Sequence, residues 1–451
     1  MGLVYTPDQQ AAIDRLVSFC LSEKKGGRIL LKGHAGTGKS TIIQEVIRQV
    51  GRSKVICLTA PTNKATKVLN DMAYKYSVPV ADVRTIYSLL GLVLKPDGSV
   101  KTVQHTGGSD MESSADVVVV DEASMLNSNV YRYILSSVDM YGYKLIFIGD
   151  RLQLPPVGEE DSPVFLDDGI EVIELTSTVR QAEGSPIIEL ANVLRQAIIA
   201  DDKNSVIKWI NDHPRIKTQD SGSLHLLKKK QFKEWMKAGY VSEKYAEDND
   251  FIRGVAWRNV TVDSMNEFAR VALYGDPPPH PFALHENVLS ADIVKEWHLR
   301  ASLKEDGEIM MKVDDEGSVI SVTELERHPM LPKAFSEISV HEISLATAKG
   351  MVKAYMPRGE GKKIYNKTLN RLQKEAKAER HLWANFWGYK ESFNDIRPAH
   401  ALTSHRSQGS TYKNVFVDVG DIFRNRDTVE SLKSLYVSAT RASENLFLTG
   451  V

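Results

Sequence analysis

Gly33-His34-Ala35-Gly36-Thr37-Gly38-Lys39-Ser40 lies between a short apolar run, Ile29-Leu30-Leu31, and Thr41-Ile42-Ile43-Gln44-Glu45-Val46-Ile47, whose spacing predicts an amphipathic helix. Strand, glycine-rich turn, Lys-Ser and helix in that order make the G-x-x-x-x-G-K-[ST] phosphate-binding loop. Its glycines let the backbone curl until successive N–H groups face inward as an anion nest. The helix start adds unpaired N–H groups and the positive end of its dipole. Gly33, His34, Ala35, Gly36, Thr37, Gly38, Lys39, Ser40 and Thr41 are therefore the candidate ligands of a nucleoside triphosphate. Lys39 is placed to reach the β/γ-phosphates, and the Ser40 hydroxyl to ligate Mg²⁺.

A second anchor is Val117-Val118-Val119-Val120-Asp121-Glu122. The valines predict a buried strand, and the acids appear as it leaves the sheet. Asp121 is placed to bind Mg²⁺ through water, and Glu122 to orient and deprotonate the attacking water. Two further strands, Lys54–Ala60 and Lys144–Asp150, lead into Pro61-Thr62-Asn63 and Gln153. Both segments lie at carboxyl ends of strands, where open α/β sheets bind ligands. Gln9 follows Thr6-Pro7-Asp8 and has two readings, a capping-box side chain or an amide that reads adenine.

The 451 residues exceed one compact core, so several domains are expected. Hydrophobic content of 42% and charged content of 25% are those of a soluble globular chain. No run reaches the length of a membrane helix, and the start is no signal peptide, which predicts no membrane partner and a cytoplasmic setting. Cys20 and Cys57 fall in a predicted helix and a predicted strand and read as buried thiols. With 57 basic and 58 acidic residues, net charge −1, a nucleic-acid site must be a local groove. Lys228-Lys229-Lys230 reads as a solvated face.

The later chain carries Gly254–Asn266, Thr403-Ser404-His405-Arg406-Ser407-Gln408-Gly409 and Leu435-Tyr436-Val437-Ser438-Ala439-Thr440-Arg441-Ala442. Together with Gln9, the phosphate loop, Ala60-Pro61-Thr62, Thr85–Leu90, Asp121-Glu122, Gly149-Asp150-x-x-Gln153 and Leu175-Thr176-x-x-x-Arg180, these segments resemble, in order, the motifs of superfamily 1 helicases of the RecD-like 1B branch. The motifs run from Gln9 to Arg441, nearly the whole chain.

The resemblance implies an ATP-dependent helicase that moves 5′-to-3′ on single-stranded DNA and separates duplex strands in replication, recombination or repair. An RNA helicase of the same branch, or a translocase that displaces proteins without unwinding, would share the motor. It implies an adenine-reading Gln9, a γ-phosphate sensor in Gln153, nucleotide contact by Gln408, and two arginines on the γ-phosphate, Arg180 and Arg441. Arg441 would be the finger from the second domain; for each arginine an ordinary salt bridge is the competing reading. Pro61, Thr62, Asn63, Thr85, Tyr87, Thr403 and His405 match DNA-contact positions, and Trp387 matches one of a tryptophan pair with Trp383 that either packs or stacks on bases. Single-stranded and fork DNA, a single-stranded-DNA-binding protein, a monomeric working state and a bacterial or phage-infected host are implied as well.

The fold class expected is α/β, with two RecA-like P-loop motor domains, a β-hairpin pin insertion and an SH3-like β-barrel insertion. The expected boundaries are 1–90 and 115–184 for the first motor, 91–114 for the pin, 185–276 and 395–451 for the second motor, and 277–394 for the barrel and a helical arm. Residues alone give a hairpin at Pro96-Asp97-Gly98, a β-rich stretch after Pro277-Pro278-Pro279, and a long helix over Lys362–Phe386. Tyr87 stands where relatives carry histidine, Asn63 replaces a stacking histidine, and the hairpin tip lacks an aromatic residue, which counts against a stacked tip and leaves stacking and a steric wedge both open.

Overall fold

Strands buried on both faces offer no polar side to water, and such strands pair in parallel sheets covered by helices. The computed structural model describes residues 5–75, 79–94, 100–102, 114–176, 184–218, 222–297, 300, 302–304 and 307–451. In it the apolar runs around the phosphate loop pair in that way. β1 (Arg28–Gly33), β2 (Ile56–Ala60), β3 (Asp82–Thr85), β4 (Val117–Val120), β5 (Lys144–Gly149) and β6 (Glu171–Leu175) form a six-stranded sheet in the order β3-β2-β4-β5-β1-β6. Every pairing is parallel, with Leu30 of β1 opposite Phe147 on one side and Val172 on the other. Parallel strands share a carboxyl edge, so the segments that leave β1, β2, β4 and β5 emerge together.

Helices α1 (Pro7–Leu21), α2 (Lys39–Val50) and α3 (Asn63–Lys75) bury their apolar stripes on this sheet. Ile13, Leu16, Ile42, Val46 and Leu69 meet Ile29, Leu31, Leu58 and Ile146 in one core. Cys20 and Cys57 are buried free thiols within it or beside it. Burial pushes their pKa values up to about 11 and about 12, which keeps both protonated and inert.

A second six-stranded sheet contains β7 (Arg215–Lys217), β8 (Ser223–Leu226), β9 (Ile252–Ala256), β10 (Ala401–Thr403), β11 (Tyr412–Asp418) and β12 (Ala442–Thr449), in the order β10-β9-β11-β12-β8-β7. All pairings are parallel except the edge pair of β7 and β8. Helix α4 (Thr428–Ala439) connects β11 to β12 and buries Leu432, Leu435, Tyr436 and Val437. Asp421 fixes the start of the segment after β9. Its carboxylate accepts from the Trp257 and Arg258 amides, from Arg258 Nε at 2.7 Å and from the Thr261 hydroxyl.

By compactness the chain forms two units, and both parallel sheets belong to the first. The second contains residues 266–400 and 94–99. Its strands Asn287–Ser290, Glu316–Leu325, Val340–Thr347, Gly350–Pro357 and Ile396–Pro398 make a five-stranded antiparallel sheet, and Val294–Glu296 pairs with Glu308–Met311. Because Ile396–Pro398 pairs with Asn287–Ser290, this unit extends to His400, past the expected boundary at 394/395.

The single helix expected over Lys362–Phe386 is instead two. Gly361–Ala378 ends where Glu379 turns extended, at φ −131° and ψ 108°, and Trp383–Lys390 follows a short 3₁₀ turn. The break lets Phe386 and Tyr389 fold back onto Leu372, Ala376 and Tyr365, a core that a straight helix would leave uncovered. Strands Leu92–Leu94 and Val100–Thr102 form a two-stranded sheet, and the tip Pro96-Asp97-Gly98 lies outside the described residues. Among the described residues no helix is long and apolar enough to cross a membrane.

Candidate active site

The loop after β1 is shaped by its glycines. Gly36 and Gly38 both take φ 81°, a left-handed conformation that a side chain disfavours. A Cβ on Gly33 would stand 2.6 Å from the Thr37 hydroxyl oxygen, so the loop closes only around glycine. Thr37 completes the turn, its hydroxyl donating to His34 O at 2.8 Å. The Lys39 ammonium lies inside the loop, donating to Gly33 O at 2.6 Å and His34 O at 3.1 Å. Ser40 is exposed at the start of α2, and Thr41 is half-buried behind it. His34 is buried, and burial lowers its pKa, so its ring is neutral.

Gln9 serves both as cap and as brace. Its Oε1 accepts the Thr6 amide and its own amide bonds Thr6 Oγ1, which completes a capping box. Its Nε2 donates to Thr37 O at 3.0 Å and so ties α1 to the phosphate loop. An adenine contact would use the remaining amide proton and the second lone pair of Oε1.

Asp121 and Glu122 leave β4 on the same edge. The Asp121 carboxylate is half-buried, and its pKa is raised, first by desolvation and then by the Glu122 charge; Lys39 opposes the shift. That dependence places Lys39, Asp121 and Glu122 in one electrostatic neighbourhood. A carboxylate disfavoured in this way and the exposed Ser40 hydroxyl are both oxygen donors of the type a divalent cation takes, and the loop amides are suited to a triphosphate. Glu122 itself has φ 51°, an uncommon conformation for a residue with a Cβ. Strain of about 1–3 kcal/mol at such a position persists where surrounding structure enforces it, typically at functional sites.

Gln153 is buried, and its Oε1 has no hydrogen-bond partner among the described residues. Gln408, from the second sheet, donates to Leu154 O at 3.2 Å, next to Gln153. Arg441 is buried too, but its guanidinium donates to Val437 O, Ser410 O and Thr440 Oγ1, all on its own side. The second-sheet residue that does reach the loop is Tyr436. Its hydroxyl accepts from the Ala35 amide at 3.2 Å and donates to Asp150 Oδ2 at 2.6 Å. Sequence reading missed it because an apolar helix position gives no sign of which way its hydroxyl points. Arg180 lies outside the described residues.

The candidate DNA contacts are placed unevenly. Pro61 is buried, while Thr62 and Asn63 are half-exposed at the start of α3, with Thr62 Oγ1 accepting the Ala65 amide. Next to them, the Lys64 ammonium donates to the Tyr412 hydroxyl of β11 at 3.0 Å. Thr403 and His405 are half-exposed after β10. Thr85 and Tyr87 depart from expectation. The Thr85 hydroxyl caps the next short helix through the Ser88 amide, and Tyr87 is 6% exposed with its pKa raised to about 12 by burial. Both turn inward because Ile86 and Leu89 must join the core. Trp387, in the second unit, is half-buried against that unit's core, stacks with Trp383, and carries the Lys390 ammonium 5.0 Å from its ring centroid.

Known proteins share this arrangement. An AAA domain model matches residues 4–221, and a UvrD-like helicase C-terminal domain model matches residues 398–449. The ATP-dependent DNA helicase dda of Enterobacteria phage T4 is 24% identical, over 96% of this chain and 96% of the relative. The ATP-dependent RecD2 DNA helicase of Deinococcus radiodurans is 29% identical over 42% of this chain and 23% of its own length. In fold, the crystal structure of Pif1 helicase from Candida albicans matches with a TM-score of 0.52 at 15% identity, covering 100% of this chain and 96% of that one. By these matches the chain is similar, over nearly its whole length, to the Pif1/Dda/RecD-like superfamily 1B helicases.

Proposed function

We propose that the chain is an ATP-dependent DNA helicase that translocates 5′-to-3′ on single-stranded DNA and opens the duplex ahead of it. The observation that carries this reading is that one phosphate loop, on the first sheet, is touched by a residue of the second sheet, Tyr436 on Ala35. A nucleotide held at Lys39 therefore meets both sheets, and its gain or loss changes the free energy of their contact.

In this reading Lys39 and the loop amides bind the β- and γ-phosphates, Glu122 takes the proton of the attacking water, and the Gln153 amide faces the γ-phosphate. Ser40 and Asp121 would hold Mg²⁺, which neutralises phosphate charge. Arg441 exchanges Val437 and Ser410 for the developing charge on the phosphate when the sheets approach, and Arg180 is assigned the second γ-phosphate contact. Pro61, Thr62, Asn63 and Thr403 line the carboxyl edges along which the strand runs, with His405 beside them. The antiparallel sheet of the second unit serves as the SH3-like insertion, and the hairpin after Gly91 as the pin. The protein works as a monomer on single-stranded and fork DNA, alongside a single-stranded-DNA-binding protein.

ATP turnover measured with single-stranded DNA or RNA of the same sequence tests the substrate class. Stimulation by DNA alone is expected, because the 2′-OH distinguishes the two. Equal stimulation by RNA contradicts the DNA assignment.

A further inference from the structure

We propose that Tyr436 is a positioning residue through which nucleotide at the phosphate loop is reported to the second sheet; this rests on the reading of Lys39 and Glu122 as the hydrolytic centre. Its hydroxyl has two partners, the Ala35 amide and Asp150 Oδ2, and both belong to the first sheet's segments. Tyr436 itself is carried by α4 of the second sheet. It is 0% exposed and Asp150 is 3% exposed, so the bond between them is shielded from water, while the Ala35 end is half-buried and open to a ligand at the loop. Burial, and then the charge of Asp150, push the phenol well above its ordinary pKa, so the hydroxyl keeps the proton that it gives to Asp150.

Each end of this contact leads to a residue of the hydrolytic site. Asp150 Oδ1 accepts the Leu152 amide at 3.0 Å, and Asp150 O accepts the Gln153 amide at 3.1 Å, which holds the Gln153 turn. The Tyr436 carbonyl accepts from the Thr440 amide and, at 2.9 Å, from the Thr440 hydroxyl. That hydroxyl oxygen in turn accepts Arg441 Nη2 at 3.1 Å. Hydrogen bonds joined through the covalent frames of Tyr436 and Asp150 therefore link Ala35 to both Gln153 and Arg441.

Ala35 has a single amide proton. A phosphate oxygen drawn to it is a charged acceptor and outcompetes the neutral phenol oxygen. Nucleotide binding loosens Tyr436 from the loop while Asp150 retains it, and the seat of α4 becomes dependent on what the loop holds. Arg441, one turn further on, inherits that dependence.

The test is Tyr436→Phe in the full chain, which keeps the ring and removes one oxygen, with a thermal melt to check the fold. Fluorescent ADP should bind about threefold more tightly without DNA, since the competitor for Ala35 is gone. DNA-stimulated kcat should fall about tenfold with no rise in KM, and fewer strands should be released per ATP hydrolysed. A purely structural role predicts weaker ADP binding instead. Asp150→Ala removes the other partner of the hydroxyl; it should reproduce the loss of strand release per ATP, and in that readout the double variant should add nothing. Weaker ADP binding by Tyr436→Phe, unchanged strand release per ATP, or additive effects in the double variant would overturn the proposal. A wild-type chain without DNA-stimulated turnover would overturn the underlying reading of the site instead.

Discussion

Glu122 donates its amide to Asp121 Oδ1 at 2.8 Å from a left-handed backbone, φ 51°. The bond engages the Asp121 carboxylate and not the Glu122 carboxylate. Asp121 is braced by its neighbour's backbone, which leaves the Glu122 side chain clear of that bond at the end of β4.

Replacing Glu122 by Gln keeps the shape and removes the carboxylate proposed as the base. ATP turnover should fall about 10²–10⁴-fold, while nucleotide and DNA binding persist. Rapid-quench hydrolysis together with filter binding checks both halves, and near-normal turnover would remove Glu122 from the role of base.

Lys39→Ala takes away the cation that sits inside the loop on Gly33 O and His34 O. Turnover should drop by about 10²–10³-fold or more, with the circular dichroism spectrum unchanged.

The pKa shift of Asp121 has a consequence for stability. Its carboxyl pKa is raised in the folded chain, so the folded state holds a proton that the unfolded state releases. Between the ordinary Asp value, near 4, and the raised folded value, stability therefore falls as pH rises. Asp121→Asn should flatten that slope and raise the urea midpoint of the nucleotide-free protein at neutral pH. An unchanged slope would mean that Asp121 titrates normally.

Asp421 is 2% exposed on its side chain, with Arg258 39% exposed beside it. Asp421→Ala strands the Trp257 and Arg258 amides as well as the guanidinium. With Arg258 partly solvated, the cost should be roughly 2–3 kcal/mol in denaturant titration, toward the low end for a broken buried pair.

How far the sequence reveals these features depends on the kind of constraint involved. The phosphate loop is legible because its backbone angles demand glycine at Gly36 and Gly38, and residue type records that demand directly. The valines of β4 are legible because only a strand covered on both faces tolerates them. Tyr87 and Arg441 are not, since a motif position says nothing about whether a side chain faces a groove or its own core. The same holds for the break at Glu379. Neither glycine nor proline marks it, and it exists because Phe386 and Tyr389 gain more from folding back than from extending the helix. Tyr436 joins segments 286 positions apart, a relationship no local pattern encodes.

DNA binding by a chain of net charge −1 requires a local basic track. Affinity for single-stranded DNA should fall steeply between low and physiological salt, with a slope near −0.7 per phosphate contacted. A flat response in fluorescence anisotropy would argue against a groove that follows the backbone.

The central claim is directional strand separation driven by ATP at Lys39. Its most direct test is to incubate the protein and ATP with duplexes that carry only a 5′ tail or only a 3′ tail, and to follow release of the labelled strand. Release from the 5′-tailed substrate and none from the 3′-tailed one is expected. Release from the 3′-tailed substrate alone, or ATP turnover with no release from either, would contradict it.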